Sequence, residues 1–348
     1  MGITASTNQN MNTTDNNNNN HVNSNNNNNN NNNNNMNNSI NSSDEEKKKE
    51  IFSMDFSAWK KDPLVLVEYS VLMFEEMGVG KELQVNRNAL LSYITSVQTN
   101  YRNNPFHSFN HAVTVTQMVF LIILRSELNE KLTILEKLSL LIAAVSHDLD
   151  HPGLTNRFQI NSKSELAVKY NNTSVLENHH LALCLSILGD QKDLLCTLTE
   201  TDRHTLIEKV KIMILATDME KHFAYKQKFD EIIPIFSWDD QQHRDLLLIM
   251  LLKSADISNE IRSWDISTKW AHALMEEFFA QSDREKQENL PLTPFMLREQ
   301  VVLNITQVSF IDKFLLPSYQ ALQIILPSLS VYVDRINKNR ILWEQLPK

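Results

Sequence analysis

Glycine is scarce in this chain, with five in 348 residues. So few glycines leave no room for a phosphate-cradling loop, whether a P-loop or the G-x-G-x-x-G turn of a dinucleotide fold. Cysteine is scarcer still. Cys184 and Cys196 are the two, without C-x-x-C spacing, which excludes a disulfide scaffold and a cysteine-based zinc site and fits free thiols in a reducing compartment. No apolar run reaches the roughly 18 residues of a spanning helix, and the polar N-terminus is no secretory signal. The sequon-like Asn172-Thr173-Ser174 therefore carries no weight. Positive charge is also short: the formal net charge of -9 disfavours non-specific nucleic-acid binding, which depends on clustered Lys and Arg. A small anionic substrate would need local positive charge, such as metal ions.

Asparagine, by contrast, dominates residues 8 to 43, with unbroken runs from Asn16 to Asn20 and from Asn25 to Asn35. Such a tract has no apolar surface to offset the entropy of ordering it. Residues 1–50 are read as a disordered tail and 51–348 as one domain. The Lys47 to Lys49 run after "SSDEE" reads as a solvated linker. "MGITAS" fits the pattern for myristoylation of Gly2, a short pattern that also arises by chance; one acyl chain would give weak, reversible membrane attachment.

Apolar residues recur at helical spacing in "AVTVTQMVFLIILRSEL", "ILEKLSLLIAAVSHDL", "TLIEKVKIMILATDM", "HRDLLLIMLLKSADI", "STKWAHALMEEFFAQ" and "FIDKFLLPSYQALQIIL". Strand-like alternation is nearly absent, so the fold class is all-α, a compact bundle of many helices. The connectors "DHPGLTN", "YNNTSVLEN" and "NLPLTPF" are too short to separate domains. In such a bundle, sites are built from side chains on facing helices and at their ends.

Several helical windows border on the same chemistry. "YRNNPFHSFNHAV" sets His107 and His111 four residues apart, one helical turn if the helix begins early enough. "LLIAAVSHDLDHPG" runs an apolar helix into His147, Asp148, Asp150 and His151, and buried helices rarely end in four titratable groups unless something binds them. "LLLIMLLKSADIS" runs another into Asp256, where a helix cap or a pair with Lys253 is the plain reading and a bound cation the other. Taken together, His111, His147, Asp148 and Asp256 offer two imidazoles and two carboxylates. That set suits a divalent ion with zinc-like preference, while the second oxygen of Asp148 is free to reach a harder ion such as Mg2+ or Mn2+. Two ions sharing a carboxylate and a water would generate hydroxide at neutral pH and clamp a phosphoryl oxygen. His107 would then stand outside the metal shell as a proton donor to a leaving group.

The region from about residue 80 to about residue 330 resembles the catalytic domain of the class I cyclic-nucleotide phosphodiesterases. The resemblance rests on "NPFHSFNHA", "SHDLDHPG", "SELAVKYNNTSVLENHH", "ILATDMEKHF", "LLKSADISNEIR", "MEEFFAQSDREK" and "TQVSFIDKFLLP", in that family's order and spacing. It implies His107 as the general acid that protonates the O3' leaving oxygen, with His111, His147, Asp148 and Asp256 around the first metal and Asp148 reaching the second. It also implies that His151, Glu177 and Thr217 hold waters of the metal shell. Plainer readings stand beside these: a capping role for Glu177, a helix hydroxyl bonded to its own backbone for Thr217, and a structural acceptor for Asp150.

For the base, the resemblance matches Gln307 to the family's purine-binding glutamine and Phe310 to its stacking aromatic, with Leu274 and Phe278 as the opposite wall. Without it, Leu274, Phe278 and Phe310 read as plain core at helical spacing. The wording of the motifs is nearest the high-affinity cGMP-specific branch, which favours cGMP. Asn259 is shared with cAMP-selective members, and Ser309 stands where the family usually has glycine, so cAMP selectivity or dual specificity is the alternative. Two further alternatives are a phosphohydrolase of the wider His-Asp metal class, which the purine clamp argues against, and an inactive cyclic-nucleotide sensor, which the full ligand set argues against. The expected setting is the cytosol, without an internal cyclic-nucleotide-binding regulatory module; a homodimer is one option for an oligomeric state that the sequence leaves open.

Overall fold

A computed structural model of the chain describes residues 45–347; the asparagine runs and Gly2 lie outside the described residues. Those residues contain helices and no strand, in agreement with the all-α reading. Contacts group Lys47–Lys348 into one compact unit.

Helix α1 (Pro63–Glu76) starts at Asp62, whose carboxylate accepts from Leu64 N–H, and α2 (Arg87–Thr99) starts at Asn86, which accepts from Ala89 N–H. These caps satisfy amide groups that the first helical turn leaves without partners. Helix α3 (Phe109–Leu124) is apolar on all sides and buried along nearly its whole length, as expected of a central helix. It packs against α1, α4 (Ile134–Ser146) and α8 (Gln241–Asp256). Helix α4 is launched by a reciprocal box in which Thr133 and Glu136 each accept the other's backbone N–H. Between α4 and α8 lie α5 (Val175–Asp190), α6 (Glu200–Ala216) and α7 (His222–Ile232). After α8 come the long α9 (Trp264–Gln287), then α10 (Leu303–Phe310), α11 (Leu316–Ile325) and α12 (Ser330–Glu344). A π-helical turn, Ile311–Leu315, joins α10 to α11, next to Pro317, which lacks the N–H that regular helix would need.

Two of these helices stop, and one starts, at one place. Helix α4 ends at Ser146, immediately before His147 and Asp148; α8 ends on Asp256; and α3 begins at Phe109, putting His111 in its first turn. His107 precedes α3, so its pairing with His111 is not the helical i, i+4 relation that the spacing suggests.

Buried apolar residues form one large core and a small separate group of Phe106, Ile266, Trp270 and Ala273, against which Trp59 and Leu274 pack. The Lys47 to Lys49 run departs from its reading as a solvated linker. Residues 45–51 are helical, and Lys47 and Lys48 form ion pairs with Glu68 and Glu76 of α1. The segment after this helix, through Trp59, is fastened by Gln117, whose amide donates to the carbonyls of Ile51 and Ser53. Fully buried Arg262 donates to the carbonyls of Met54 and Thr114 and to the Gln117 side chain.

Candidate active site

The converging helix ends bring His111, His147, Asp148 and Asp256 together, with one potential ligand atom from each within 4.8 Å of all the others. Asp256 Oδ1 lies 3.0 Å from His111 Nε2 and 3.1 Å from His147 Nε2. Asp148 Oδ2 lies 3.1 Å from His147 Nε2 and 3.6 Å from His111 Nε2. Donor atoms sharing one ion at about 2.1 Å sit at most about 4.2 Å apart, so these spacings and this nitrogen-oxygen set fit a divalent cation. Orientation supports the fit. His147 Nδ1 is 2.9 Å from the Ala144 carbonyl, which fixes the proton there and aims Nε2 into the cluster. Burial raises the carboxyl groups of Asp148 and Asp256, but the His147 imidazole outweighs it and holds both below the ordinary carboxylate range. Burial also pulls His111 below its ordinary value, toward the neutral form a ligand needs. The Asp148 and Asp256 carboxylates instead overcome burial and raise His147 well above its own, adding a proton that a cation at Nε2 would displace. Asp256 does not pair with Lys253, whose ammonium donates instead to the Ala216 carbonyl at 2.6 Å.

Around the four lies a partly anticipated ring. His180 Nδ1 is 2.6 Å from the Leu149 carbonyl, and its Nε2 is 3.9 Å from Asp148 Oδ1. His151, which accepts from Gly153 N–H through Nδ1, joins Asp148 and His180 in a second group that could hold a cation. Glu177 stands in the first turn of α5, where a capping role would place it. Its carboxylate accepts from Asn156 at 2.9 Å, and burial, reinforced by the Asp218 carboxylate, pushes it up to about 7. The Thr217 hydroxyl donates to the Ile214 carbonyl at 2.7 Å, the plainer of its two readings, which leaves its oxygen free to accept. Asp150 has left-handed backbone (φ 57°) and pairs with Arg102 and His179, as befits a structural acceptor.

His107 sits beside the cluster on a loop held by side-chain hydrogen bonds from Asn104 and to Glu277. Asn104 donates to the carbonyls of both His107 (2.8 Å) and His151 (2.6 Å), tying the two loops together. The His107 ring stacks on His151 with centroids 4.0 Å apart. Its Nδ1 bonds to Glu277 Oε1, while Glu277 Oε2 accepts the backbone N–H groups of Phe106 and His107, both at 3.1 Å. Burial lowers the imidazole's affinity for its proton, yet the Glu277 carboxylate overrides it and raises His107 to about 9. With 23% of its side chain accessible, His107 is a cation with one nitrogen anchored and an open side.

Glu277 and His180 were absent from the sequence reading, although a signal existed for each. Trp270, Ala273, Leu274 and Glu277 recur at helical spacing, so Glu277 falls on the buried stripe while Glu276 is exposed. His180 shares the buried stripe of Leu176, Glu177 and Cys184. A titratable group on such a stripe requires a partner.

Leu274 and Phe278 lie half-buried on α9; Gln307 is buried and Phe310 half-buried on α10. Phe278 meets Phe295 edge-on at 6.0 Å, and Phe310 stacks on Phe314 at 5.4 Å. The three apolar residues are thus outside the fully buried core. The Gln307 amide makes no hydrogen bond within the protein among the described residues, so its donor and acceptor remain available.

A family profile described as 3'5'-cyclic nucleotide phosphodiesterase matches residues 106–336. The chain belongs to that family. It is 61% identical over 296 residues to cGMP-specific 3',5'-cGMP phosphodiesterase 3 of Dictyostelium discoideum, which covers 84% of this chain and 64% of the relative. It is 36% identical over 295 residues to the high affinity cGMP-specific 3',5'-cyclic phosphodiesterase 9A of Homo sapiens, covering 84% of this chain and 50% of that one. The chain therefore spans between half and two-thirds of these relatives. Among solved structures, the phosphodiesterase domain of the RhoPDE fusion protein from Salpingoeca rosetta superposes with a TM-score of 0.81 at 35% identity, covering 84% of this chain and 94% of that domain. The phosphodiesterase family region includes the four clustered residues, His107, Glu277 and the α9 and α10 side chains. No helix among the described residues is long and apolar enough to cross a membrane.

Proposed function

We propose that this phosphodiesterase hydrolyses 3',5'-cyclic nucleotides, cGMP in preference to cAMP, to 5'-nucleoside monophosphates in the presence of two divalent ions. The observation that carries the reading is the pairing of His107 with Glu277 beside the His111, His147, Asp148 and Asp256 cluster. His111, His147, Asp148 and Asp256 would hold the first ion, with Zn2+ the best match, and Asp148 would reach a second, Mg2+ or Mn2+. When bound, such ions supply hydroxide at neutral pH and positive charge for the phosphoryl oxygens.

The remaining steps belong to the chain. Glu277 holds His107 by Nδ1 and keeps it protonated, so that Nε2 delivers its proton to the departing O3'. His151, Glu177 and Thr217 orient water around the ions. Gln307 binds the base edge with its amide, and Phe310 stacks on the base against Leu274 and Phe278. The cGMP preference is supported by the names of both relatives above. Ser309, half-buried between Gln307 and Phe310, is where base selectivity is most open to change. Cytosolic placement, with weak membrane attachment only if Gly2 is acylated, completes the reading.

Hydrolysis in 18O-labelled water tests it. One labelled oxygen should enter the phosphate of 5'-GMP, with none in the 3'-hydroxyl. A 3'-monophosphate product, or label in the ribose, would overturn the assignment of O3' as leaving group.

A further inference from the structure

The small apolar group beside the site links His107 to the segment that precedes α1. Trp59, at the end of that segment, lies 4.5 Å from Trp270 on α9. Trp270 meets Phe106 edge-on at 5.4 Å, and Phe106 lies 4.8 Å from the His107 ring and 4.7 Å from His111. The Phe106 and His107 amides are the two that Glu277 Oε2 accepts. Phe106, Ile266, Trp270 and Ala273 are separate from the main core, so their packing depends on the few residues that close the group. Trp59 supplies the large ring on one side.

Trp59 is also placed deliberately. The next residue, Lys60, has left-handed backbone (φ 61°), a conformation that a non-glycine residue holds at a cost. Lys61 is pinned by Glu50 at 2.6 Å and by the Tyr69 hydroxyl at 3.3 Å. Upstream, Gln117 and Arg262 hold the backbone from Ile51 to Met54. The indole N–H groups of Trp59 and Trp270 are both buried without an acceptor among the described residues, so ring packing rather than hydrogen bonding holds this pair.

We propose that Trp59 is a positioning residue: through Trp270 and Phe106 it holds the His107 loop against Glu277, and the segment from Ile51 to Trp59 thereby sets the reactivity of the site. The functional half of this inference rests on the reading above; the structural half does not. Removing the Trp59 ring leaves a void beside Trp270, lets Trp270 shift into it with Phe106 following, and draws the Phe106 and His107 amides from the carboxylate. Displacements of about 1 Å at a reacting group can cost on the order of a hundred-fold in rate.

The test uses the full chain with Trp59→Ala, Trp59→Phe and Phe52→Ala. Phe52 lies in the same segment but packs on Phe120 of α3, so its truncation weakens the segment away from Trp270. Amide exchange at Phe106 and His107, followed by NMR, should quicken about ten-fold or more in Trp59→Ala, recover in Trp59→Phe, and stay unchanged in Phe52→Ala. Alongside, kcat should fall roughly ten-fold in Trp59→Ala with KM changed less than about three-fold. In a Glu277→Gln background the same truncation should cost under about two-fold, because both act through one contact. Unchanged exchange at Phe106 and His107 in Trp59→Ala, or equal quickening in Phe52→Ala, would overturn the positioning role. Altered exchange with no effect on turnover by an active wild type would overturn its link to reactivity. A wild type that exchanges as expected but turns over neither nucleotide would bring down the functional reading, and with it the reactivity half, while the positioning half stands.

Discussion

His107 Nδ1 is bonded to Glu277 Oε1, 170 positions further along the chain. The same carboxylate takes the backbone N–H of His107, so one residue of α9 fixes both the ring and the main chain of the proposed acid. The consequence is a proton held at Nε2 well above neutral pH. Against the pull of burial, the carboxylate raises His107 to about 9.

A pH profile follows from that value. The alkaline limb of kcat/KM should lie near 9. In Glu277→Gln the largest raising influence is lost and only the Asp148 and Asp256 carboxylates still oppose burial, so the limb should fall toward the ordinary value of about 6.5, at which about one molecule in thirty is protonated at pH 8. Activity there should drop by up to about thirty-fold and recover on acidification. Stability carries the same sign. The raised imidazole contributes fully below about 6.5 and its contribution is lost as pH rises through about 9. The lowered Glu277 carboxyl contributes above its ordinary value and loses that as pH falls through its lowered one. The melting-temperature gap between wild type and Glu277→Gln should therefore be widest near pH 5 to 6 and narrow as pH rises through about 9.

Metal binding should stabilise the fold, because the cluster exists only when α3, α4 and α8 have met. At one hundred times its dissociation constant, an ion adds about 2.7 kcal/mol, a rise of several degrees in a domain of this size. Asp256→Ala should abolish that rise and lower bound metal, measured by elemental analysis after dialysis. A full metal complement in Asp256→Ala would remove it from the ligand set.

Gln307 makes a contrasting case, since the residue is largely buried while its amide has no partner among the described residues and still reaches solvent, so the fold does not depend on it. Gln307→Leu should melt at the wild-type temperature or slightly higher. Its KM for cGMP should rise roughly ten- to a hundred-fold with kcat less affected, the pattern of lost uniform binding.

Arg262 should matter to stability rather than chemistry. It is fully buried and donates to Met54, Thr114 and Gln117. Arg262→Met leaves those acceptors without their donor, at a cost of about 3 kcal/mol or more. Hydrogen exchange should show the segment from Ile51 to Trp59 opening before the rest of the domain.

Much of this was legible in the sequence because helical periodicity and ligand chemistry are both local signals. Apolar windows located α3, α4, α8 and α9, and "SHDLD" and "KSAD" marked the helix ends where His147, Asp148 and Asp256 converge. What the sequence hid was partnership. The four-residue spacing of His107 and His111 suggested a helical pair, but α3 begins after His107, and loop contacts from Asn104 and Glu277 place it instead. Glu277 looked like one of many charges on a long helix until packing put it inside. Lys47 and Lys48 read as linker because their partners Glu68 and Glu76 belong to a helix that periodicity alone does not dock. Distant pairs of this kind are set by tertiary packing, which leaves little mark on a single sequence.

The most direct test of the central claim is steady-state turnover of cGMP and of cAMP, each over a range of concentrations, by purified protein with Mg2+ or Mn2+, beside His107→Ala and Asp256→Ala. Hydrolysis of both nucleotides with the higher kcat/KM for cGMP, reduced at least about a hundred-fold in each variant, is the expected result. A preference for cAMP would contradict the base assignment and leave the chemistry standing. No turnover of either nucleotide by folded, metal-loaded protein would contradict the proposed activity itself.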